Sequence, residues 1–326
     1  MNKVLITGAT GFIGYELARQ LHIRGLPSRL LVRRPLRSGL LSQFNTELIQ
    51  GDLESPASLV RAVQGVDTVI HLGARAIFEE YALVRPTIVE GSIALMKSAI
   101  GAGAKTFVFA SSLLVYDGQN SPIDEHTPAS PRSGYGRAKL EAEEELGKLA
   151  GESGVAFAAI RLPHVYGARD LMFNQVRRGR VFFPGNGRNS YAHMHVEDAA
   201  KILLEVAVQG WAGVSPVADD CAASWNEFFG EIRKYYPSFQ TIGVPKWLAS
   251  AGTNLLTLIR RIRKTPSLYT PEAVRNWNLN YSVKQGILWN QLGIKPKYLT
   301  ICQGIPAALD ECIAFRWTHP IEDRRR

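Results

Sequence analysis

The sequence predicts a doubly wound α/β fold: a parallel sheet covered by helices on both faces, with a smaller, mostly helical C-terminal lobe. Three observations carry that prediction. Short, continuous apolar runs recur through the first half, the form taken by strands buried on both faces. Helix-period segments separate them, so strand and helix alternate. Glycines at positions 8, 11 and 14 sit directly behind the first apolar run, at the first strand–helix crossing.

The strands are read in order as 3–7, 28–32, 46–51, 67–73, 105–111 and 155–162. The helices between them are read as 12–24, 56–64, 85–102 and 135–150. Crossovers of this kind are right-handed. Beyond residue 163 the alternation decays into a stretch rich in Gly, Arg and Asn, and a well-patterned helix follows over 196–208. Further helices are expected over 224–235, 245–263, 283–291 and 300–314. The chain thus divides into a sheet domain, residues 1–165 with 196–217 returning to it, and a lobe formed from 166–195 and 218–326. Such a lobe would cover the carboxyl ends of the strands, where open α/β sheets bind ligands.

Composition narrows the function classes. The 326 residues are 46% hydrophobic and 21% charged, the balance of a globular protein and not of a disordered or fibrous one. No apolar run approaches the roughly 20 residues that span a bilayer. The first strand starts within three residues of Met1, without the basic region and cleavage site of an export signal. Cys221, Cys302 and Cys312 are scattered and form no CxxC pair. They read as free thiols in a reducing cytoplasm and not as metal ligands. The net charge of +9 is spread over Arg33–Arg37, Arg260–Lys264 and the terminal DRRR. Such a balance suits nucleic acid, an anionic surface or an anionic small molecule. No nucleic-acid motif accompanies it.

In TGATGFIG, residues 7–14 follow a strand and open a helix. That context favours a cofactor loop over an ordinary glycine-rich turn. Gly8 makes the tight turn, Gly11 admits a pyrophosphate, and Gly14 lets helix and strand pack closely. Thr7, Thr10, Phe12 and Ile13 complete the loop. The helix start then offers unpaired N–H groups to an anion.

TGATGFIG, GDL, HLGA, SSLLVY, YGRAK, RLPHVYG and HVED occur in the order and spacing of the extended short-chain dehydrogenase/reductases. Over about residues 2–210 the chain resembles that family. It includes NAD-dependent epimerases, dehydratases and hydroxysteroid-dehydrogenase-like reductases. The resemblance implies a Rossmann-type domain, a nicotinamide dinucleotide and a substrate-binding C-terminal lobe. It does not imply a substrate.

The end of the second strand is where an acid would grip the ribose hydroxyls. It carries Arg33 and Arg34 instead, with Arg37 nearby. Guanidinium groups bind a 2′-phosphate that an acid would repel. NADP(H) is therefore expected over NAD(H), against the reading of a solvated basic turn before Pro35. By resemblance Asp52 contacts the adenine amino group, with Leu53 beside the ring; capping the helix near Pro56 is the competing role for Asp52. Leu72, Gly73 and Ala74 let backbone approach the cofactor, Arg75 either reaches its phosphates or an acidic substrate or points to solvent, and His71 reads as packed. Ala110 joins the cofactor set at the end of the fifth strand.

Tyr135 and Lys139 of YGRAK stand four apart, on one face of a helix. Alone, the pair is an ordinary surface combination; the resemblance makes it the reactive one. Tyrosine is a feeble base at its usual pKa of about 10. A nearby ammonium and an oxidised nicotinamide favour its phenolate. Lys139 would supply that charge and bind the cofactor ribose, while Tyr135 passes a proton to or from a substrate oxygen. The family places the hydroxyl that hydrogen-bonds the reacting oxygen at Ser112, and Ser111 is a structural or cofactor neighbour. IVEGS replaces the family's NVxGT, so Ile88 stands where asparagine is usual.

Pro163, His164 and Val165 should border the nicotinamide, with His164 in place of a common asparagine and either facing the pocket or buried. His164, Arg188 and His193 join Ser112 as candidate substrate contacts, while His195–Asp198 anchor the lobe to the sheet domain. No histidine has a metal-site pattern. Residues 244–264 form an amphipathic helix with a basic end. It reads as core of the lobe, as a greasy lid, or as a membrane contact. Its Leu, Ile and Trp content and few acids tilt the expectation from a nucleotide-sugar epimerase or dehydratase toward a ketone/alcohol reductase. That places the chain nearer hydroxysteroid-dehydrogenase-like and flavanonol-reductase-like members, acting on a small, largely apolar carbonyl or alcohol. By resemblance a homodimer would form through 85–102 and 135–150. A dinucleotide sensor without chemistry is the non-enzymatic alternative.

Overall fold

The computed structural model describes residues 1–35, 39–74, 80–118, 121–219, 221–263 and 270–314, the side chains of 171, 174 and 257–263 excepted. Arg37, Arg75, Lys264 and the basic C-terminal tail lie outside the described residues.

The first half alternates as its apolar periods dictate. β1 (Val4–Thr7), α1 (Phe12–Ile23), β2 (Ser28–Val32), β3 (Thr46–Gln50), α2 (Pro56–Ala62) and β4 (Thr68–His71) come first. α3 (Tyr81–Arg85), α4 (Gly91–Gly101), β5 (Thr106–Ser112), α5 (Gly134–Ser153) and β6 (Ala156–Leu162) follow. Next come β7 (His164–Tyr166), α6 (Leu171–Arg177), β8 (Arg180–Pro184), β9 (Ser190–Tyr191) and β10 (His193–His195). The chain then returns to the sheet through α7 (Val196–Gln209) and β11 (Gly213–Pro216). β12 (Ala223–Ser224), α8 (Trp225–Tyr235), β13 (Gln240–Val244), α9 (Lys246–Arg263), α10 (Pro271–Asn276) and α11 (Ile301–Ala314) complete it.

The main sheet has seven parallel strands in the order β3-β2-β1-β4-β5-β6-β11. Every residue of β1, β2 and β4 is buried, as strands covered on both faces require. Edge strand β3 is half exposed. Leu17, Ala18 and Leu21 of α1 share one apolar core with Leu203 and Val206 of α7. On the other face, Leu59 of α2, Leu95 and Met96 of α4, and Ala138 and Leu146 of α5 share a second. Strand order reverses between β1 and β4, where Thr7 and His71 stand side by side. A crevice of this kind, outside the carboxyl ends of the strands, is where such sheets bind ligands.

The later segments make three two-stranded sheets, β7 with β10, β8 with β13, and β9 with β12. Their core is aromatic: Phe183 stacks on Trp277, and Trp225 on Phe229. A reciprocal cap between Ser224 and Glu227 starts α8.

Four differences from the sequence reading stand out. The helix over 85–102 is two helices joined by a π turn over Pro86–Glu90. Proline lacks the N–H donor and crowds the preceding turn, and widening the helix relieves both. The helix over 283–291 does not form; Gly286 and Leu288 have φ of 71° and 58°, and the segment is a run of turns. Burial decides its path: Leu288 and Trp289 are inside, and Trp289 Nε1 donates to the Ala218 carbonyl at 2.9 Å. The weakly patterned stretch after 166 contains α6 and strands β8 to β10, which are five, two and three residues long, too short to show a clear period. β11, the seventh strand of the sheet, was also not read as a strand; it is four residues long and includes Gly213 and Pro216.

Candidate active site

The glycine turn is shaped by what presses on it. Gly8 has φ 74°, and a Cβ there would also meet Gly73 N and Leu72 C at 2.9 Å. A side chain is therefore excluded twice, by conformation and by the exit of β4. A Cβ on Gly14 would stand 2.3 Å from the Gly8 carbonyl oxygen, so α1 is pulled down onto the loop. Gly11 is the N-cap of α1, with no side-chain cap and no acidic residue in the first turn. The N–H groups of Phe12 and Ile13 thus begin a helix whose positive end is uncompensated by its own sequence. This cradle, with Thr7 and Thr10 beside it, fits a pyrophosphate.

The β1 and β4 ends are joined by a hydrogen-bond chain with one direction. Ser92 Oγ donates to the Ile88 carbonyl and so accepts from His71 Nε2, 2.8 Å away. His71 Nδ1 then accepts from Thr7 Oγ1 at 2.5 Å, and Thr7 Oγ1 accepts from the Gly73 N–H at 3.0 Å. Each partner fixes the next. Burial, with Lys139 adding to it, lowers the His71 pKa to about 3, so the ring stays neutral. His71 is packed, and Ile88, standing for the usual asparagine, is buried beside its chain. Leu53 lies between Gly73 and Gly91, each of whose Cβ would come within 3.0 Å of it. Asp52 Oδ1 accepts from the Glu54 N–H at 3.2 Å, while α2 has Ser55 as N-cap without a side-chain bond. The helix-capping role for Asp52 is therefore not seen. Ala74 follows Gly73, and Arg33 and Arg34 are exposed just beyond β2.

The second corner is built where β5 meets α5. Ser112 Oγ accepts from the Leu114 N–H at 3.2 Å, which leaves its hydroxyl hydrogen to donate elsewhere. Ser133 caps α5 by accepting from Gly136 N at 3.0 Å. A Cβ on Gly136 would stand 2.0 Å from the Leu114 carbonyl oxygen. Backbone-to-backbone docking thus sets the first turn of α5, with Tyr135, against the turn that follows Ser112. Lys139 Nζ donates to the Ala110 carbonyl at 2.7 Å, 4.4 Å over the Phe109 ring and 5.8 Å from the Tyr135 ring centre. Burial lowers the Lys139 pKa to about 7, partly opposed by Glu143. Burial raises that of Tyr135. That burial favours the phenol form of Tyr135.

Sequence reading missed the support behind this corner. Glu143, one turn beyond Lys139, forms a buried ion pair with Arg161 of β6 at 2.6 Å. Ser111 donates to Glu143, and Arg161 Nη1 donates to the Tyr116 hydroxyl at 2.7 Å. Ser111 is a structural neighbour. The spacing Tyr135, Lys139, Glu143 was visible; the partner on β6 was not.

At the start of the lobe, His193 Nε2 faces the Ala223 carbonyl at 3.2 Å and must donate to it. His193 Nδ1 therefore accepts from His164 Nδ1–H at 2.9 Å. His164 Nε2 then lies 3.6 Å from Asp170 Oδ2, and the pair closes only with a proton or a donor between them. His164 packs on Trp225 and Phe228. His193 is wholly buried. Arg188 is exposed at a turn where its N–H donates to Asn186 Oδ1 at 3.1 Å. Pro163 and Val165 flank His164. His195 caps α7, and Asp198 accepts from the Lys297 and Tyr298 N–H groups at 2.6 and 2.9 Å, tying α7 to the segment before α11.

Residues 4–217 match the model of the NAD dependent epimerase/dehydratase family. The chain is 30% identical over 231 residues to a ceramide reductase of Caulobacter vibrioides, covering 69% of this chain and 67% of that protein. It is 30% identical over 175 residues to a UDP-glucose 4-epimerase of Vibrio cholerae, covering 51% and 52%. The first of its curated relatives are matched over about half their length, 52% and 55%. Among solved structures, MoeE5 in complex with UDP-glucose and NAD has a TM-score of 0.80 at 23% identity, over 96% of this chain and 99% of that one. The relatives divide between sugar-nucleotide epimerases and reductases, and do not single out the hydroxysteroid-dehydrogenase side.

Proposed function

This chain belongs to the NAD-dependent epimerase/dehydratase family, and we propose that it is an NAD(P)(H)-dependent oxidoreductase acting on a carbonyl or secondary alcohol of a small, largely apolar molecule. One observation carries the reading: the close docking of Gly136 on Leu114, which holds Tyr135 against the segment that begins at Ser112. The nicotinamide, when bound, supplies or accepts the hydride. The rest falls to the chain. Thr7, Gly8, Gly11 and Gly14 hold the pyrophosphate, and Leu72, Gly73 and Ala110 line the approach. Ser112 donates to the substrate oxygen, where charge develops. Tyr135, kept as a phenol by burial, gives up the proton that completes an alcohol, and takes it back in the reverse direction. Lys139, placed on the Ala110 carbonyl, would hold the cofactor's ribose. Arg33 and Arg34, exposed at the end of β2, support NADP(H) over NAD(H). A homodimer through α4 and α5 belongs to the same reading.

The apolar substrate class is supported by the likeness to a ceramide reductase and by the acid-free α9. A panel of apolar ketones read by NADPH absorbance tests it. Turnover with NADPH, weakened in Arg33→Asp while NADH affinity holds, is the expected result. Conversion of a UDP-sugar without net cofactor use would replace this reading with an epimerase. Cofactor binding with no turnover on either would replace it with a sensor.

A further inference from the structure

Tyr135 stands where a helix is least able to hold it. It is the second residue of α5, with Gly134 before it and Gly136 after it. Glycine costs a helix about 1 kcal/mol relative to alanine, and the first N–H groups of a helix have no partner within it. Ser133 takes the Gly136 N–H, and α5 has no acidic residue in its own first turn. The carboxylate that such a helix start favours has to come from elsewhere in the chain.

It comes from the C-terminal lobe. Glu272 of α10, 138 residues further on, accepts the Gly134 N–H on Oε1 at 2.9 Å. Burial raises the Glu272 pKa, while the Gly134 N–H, Arg137, Arg275 and the Tyr135 N–H favour the carboxylate and oppose it. Glu272 is itself held in place. Thr270 caps α10 by accepting from the Ala273 N–H at 3.1 Å, Pro271 presets its first turn, and α10 packs on α9. One turn along, Arg275 pairs with Asp117, which also holds Arg132, just before α5, at 2.5 Å. Asp117 closes the segment that begins at Ser112. α10 therefore grips the start of α5 with an acid and the end of the Ser112 segment with a base, three residues apart on one helix face.

We propose that Glu272 is a positioning residue for Tyr135: an acceptor from the lobe that fixes the backbone of the reactive tyrosine in the sheet domain. The inference rests on the reading of Tyr135 as the proton donor. The phenol oxygen has to stay within hydrogen-bond reach of the substrate oxygen. Backbone rotation at either flanking glycine would swing it away. The Leu114 carbonyl blocks that freedom at Gly136, and Glu272 removes it at Gly134.

Steady-state assays on Glu272→Leu and Glu272→Gln test it, using whichever substrate the wild type converts, an apolar ketone or a UDP-sugar. Leucine fills the space and cannot accept a hydrogen bond; glutamine keeps an acceptor oxygen. In Glu272→Leu, kcat should fall about tenfold or more while KM and dinucleotide affinity hold within about twofold, as displacement of a reacting group requires. Glu272→Gln should recover most of that loss, which a role confined to charge at the start of α10 would not allow. Amide hydrogen exchange over residues 133–136 should be faster in Glu272→Leu than in the wild type, and close to wild type in Glu272→Gln. Unchanged kcat in Glu272→Leu, an equal loss in both variants, or unchanged exchange overturns the proposal. If Tyr135→Phe keeps normal turnover, or the wild type converts neither substrate, the functional reading fails instead, and the exchange comparison alone decides whether Glu272 holds Tyr135.

Discussion

Two buried polar corners face the sheet ends, and they are made of opposite materials. The β5–α5 corner is a local construction: Ser112, Tyr135, Lys139 and Glu143 lie within 32 residues, and backbone contact at Gly136 sets their spacing. The His164 corner gathers Asp170, His193, Ala223 and Trp225 from separate segments; the β7–β10 ladder sets His164 beside His193, and ring hydrogen bonds link the rest. Backbone docking fixes a reactive pair without depending on any one proton. The histidine chain, by contrast, is only as ordered as its tautomers. The first arrangement suits chemistry common to a fold, the second suits a feature that can change with the ligand.

Substitutions can break this contrast. The largest effect belongs to Tyr135→Phe, which removes the proton donor while the backbone docking stays. Turnover should fall about 10²–10⁴-fold in single-turnover assays, with cofactor affinity by fluorescence unchanged. Near-normal turnover would remove Tyr135 from the mechanism. Glu143→Ala should follow, since it leaves Arg161 buried without its partner. A loss of about 3–5 kcal/mol in chemical denaturation is expected. Gly136→Ala forces a Cβ into the Leu114 carbonyl, and overpacking of this kind costs about 1–3 kcal/mol. Its activity should fall more than its melting temperature predicts if docking positions Tyr135.

Lys139 sharpens the contrast through pH. Its folded pKa of about 7 lies below its ordinary value of 10.5. Between those limits the unfolded chain binds a proton that the folded chain does not, so this group makes stability rise with pH across that window. The slope is at most about 1.4 kcal/mol per pH unit. Lys139→Met should flatten the curve there, and an unchanged slope would contradict the burial argument. Asp170→Asn is the smallest change, within about 1 kcal/mol by melting. Ligand affinity at the His164 corner should respond more than stability does.

The same contrast explains what was legible in the sequence. The main sheet was readable because β1, β2, β4, β5 and β6 each carry an apolar run, and their order follows from alternation. β11 escaped because its four residues, with a glycine and a proline, carry no such signal. YGRAK showed Tyr135 and Lys139 because helical spacing is local. It did not show that Gly136 touches Leu114, or that Glu143 meets Arg161 eighteen residues on, since both depend on how α5 lies on the sheet. His193 was read as a candidate substrate contact from the resemblance alone, which says nothing of what packs on its ring. In space its neighbours are Trp225 and Phe228. The 283–291 segment has a helical composition, but burying Trp289 outweighed that preference.

The wide turn over Pro86–Glu90 separates α3 and α4 in phase. An ordinary helix rotates about 100° per residue, so each insertion would turn every later side chain away from its partner. A π turn absorbs one residue and resets the rotation. Upstream, Arg85 meets Glu141 of α5 at 2.9 Å, while downstream Ser92 keeps its hold on His71. The chain therefore contains a seam: the face that α3 offers to α5 can be rewritten, in evolution or at the bench, without retuning the cofactor end of the sheet.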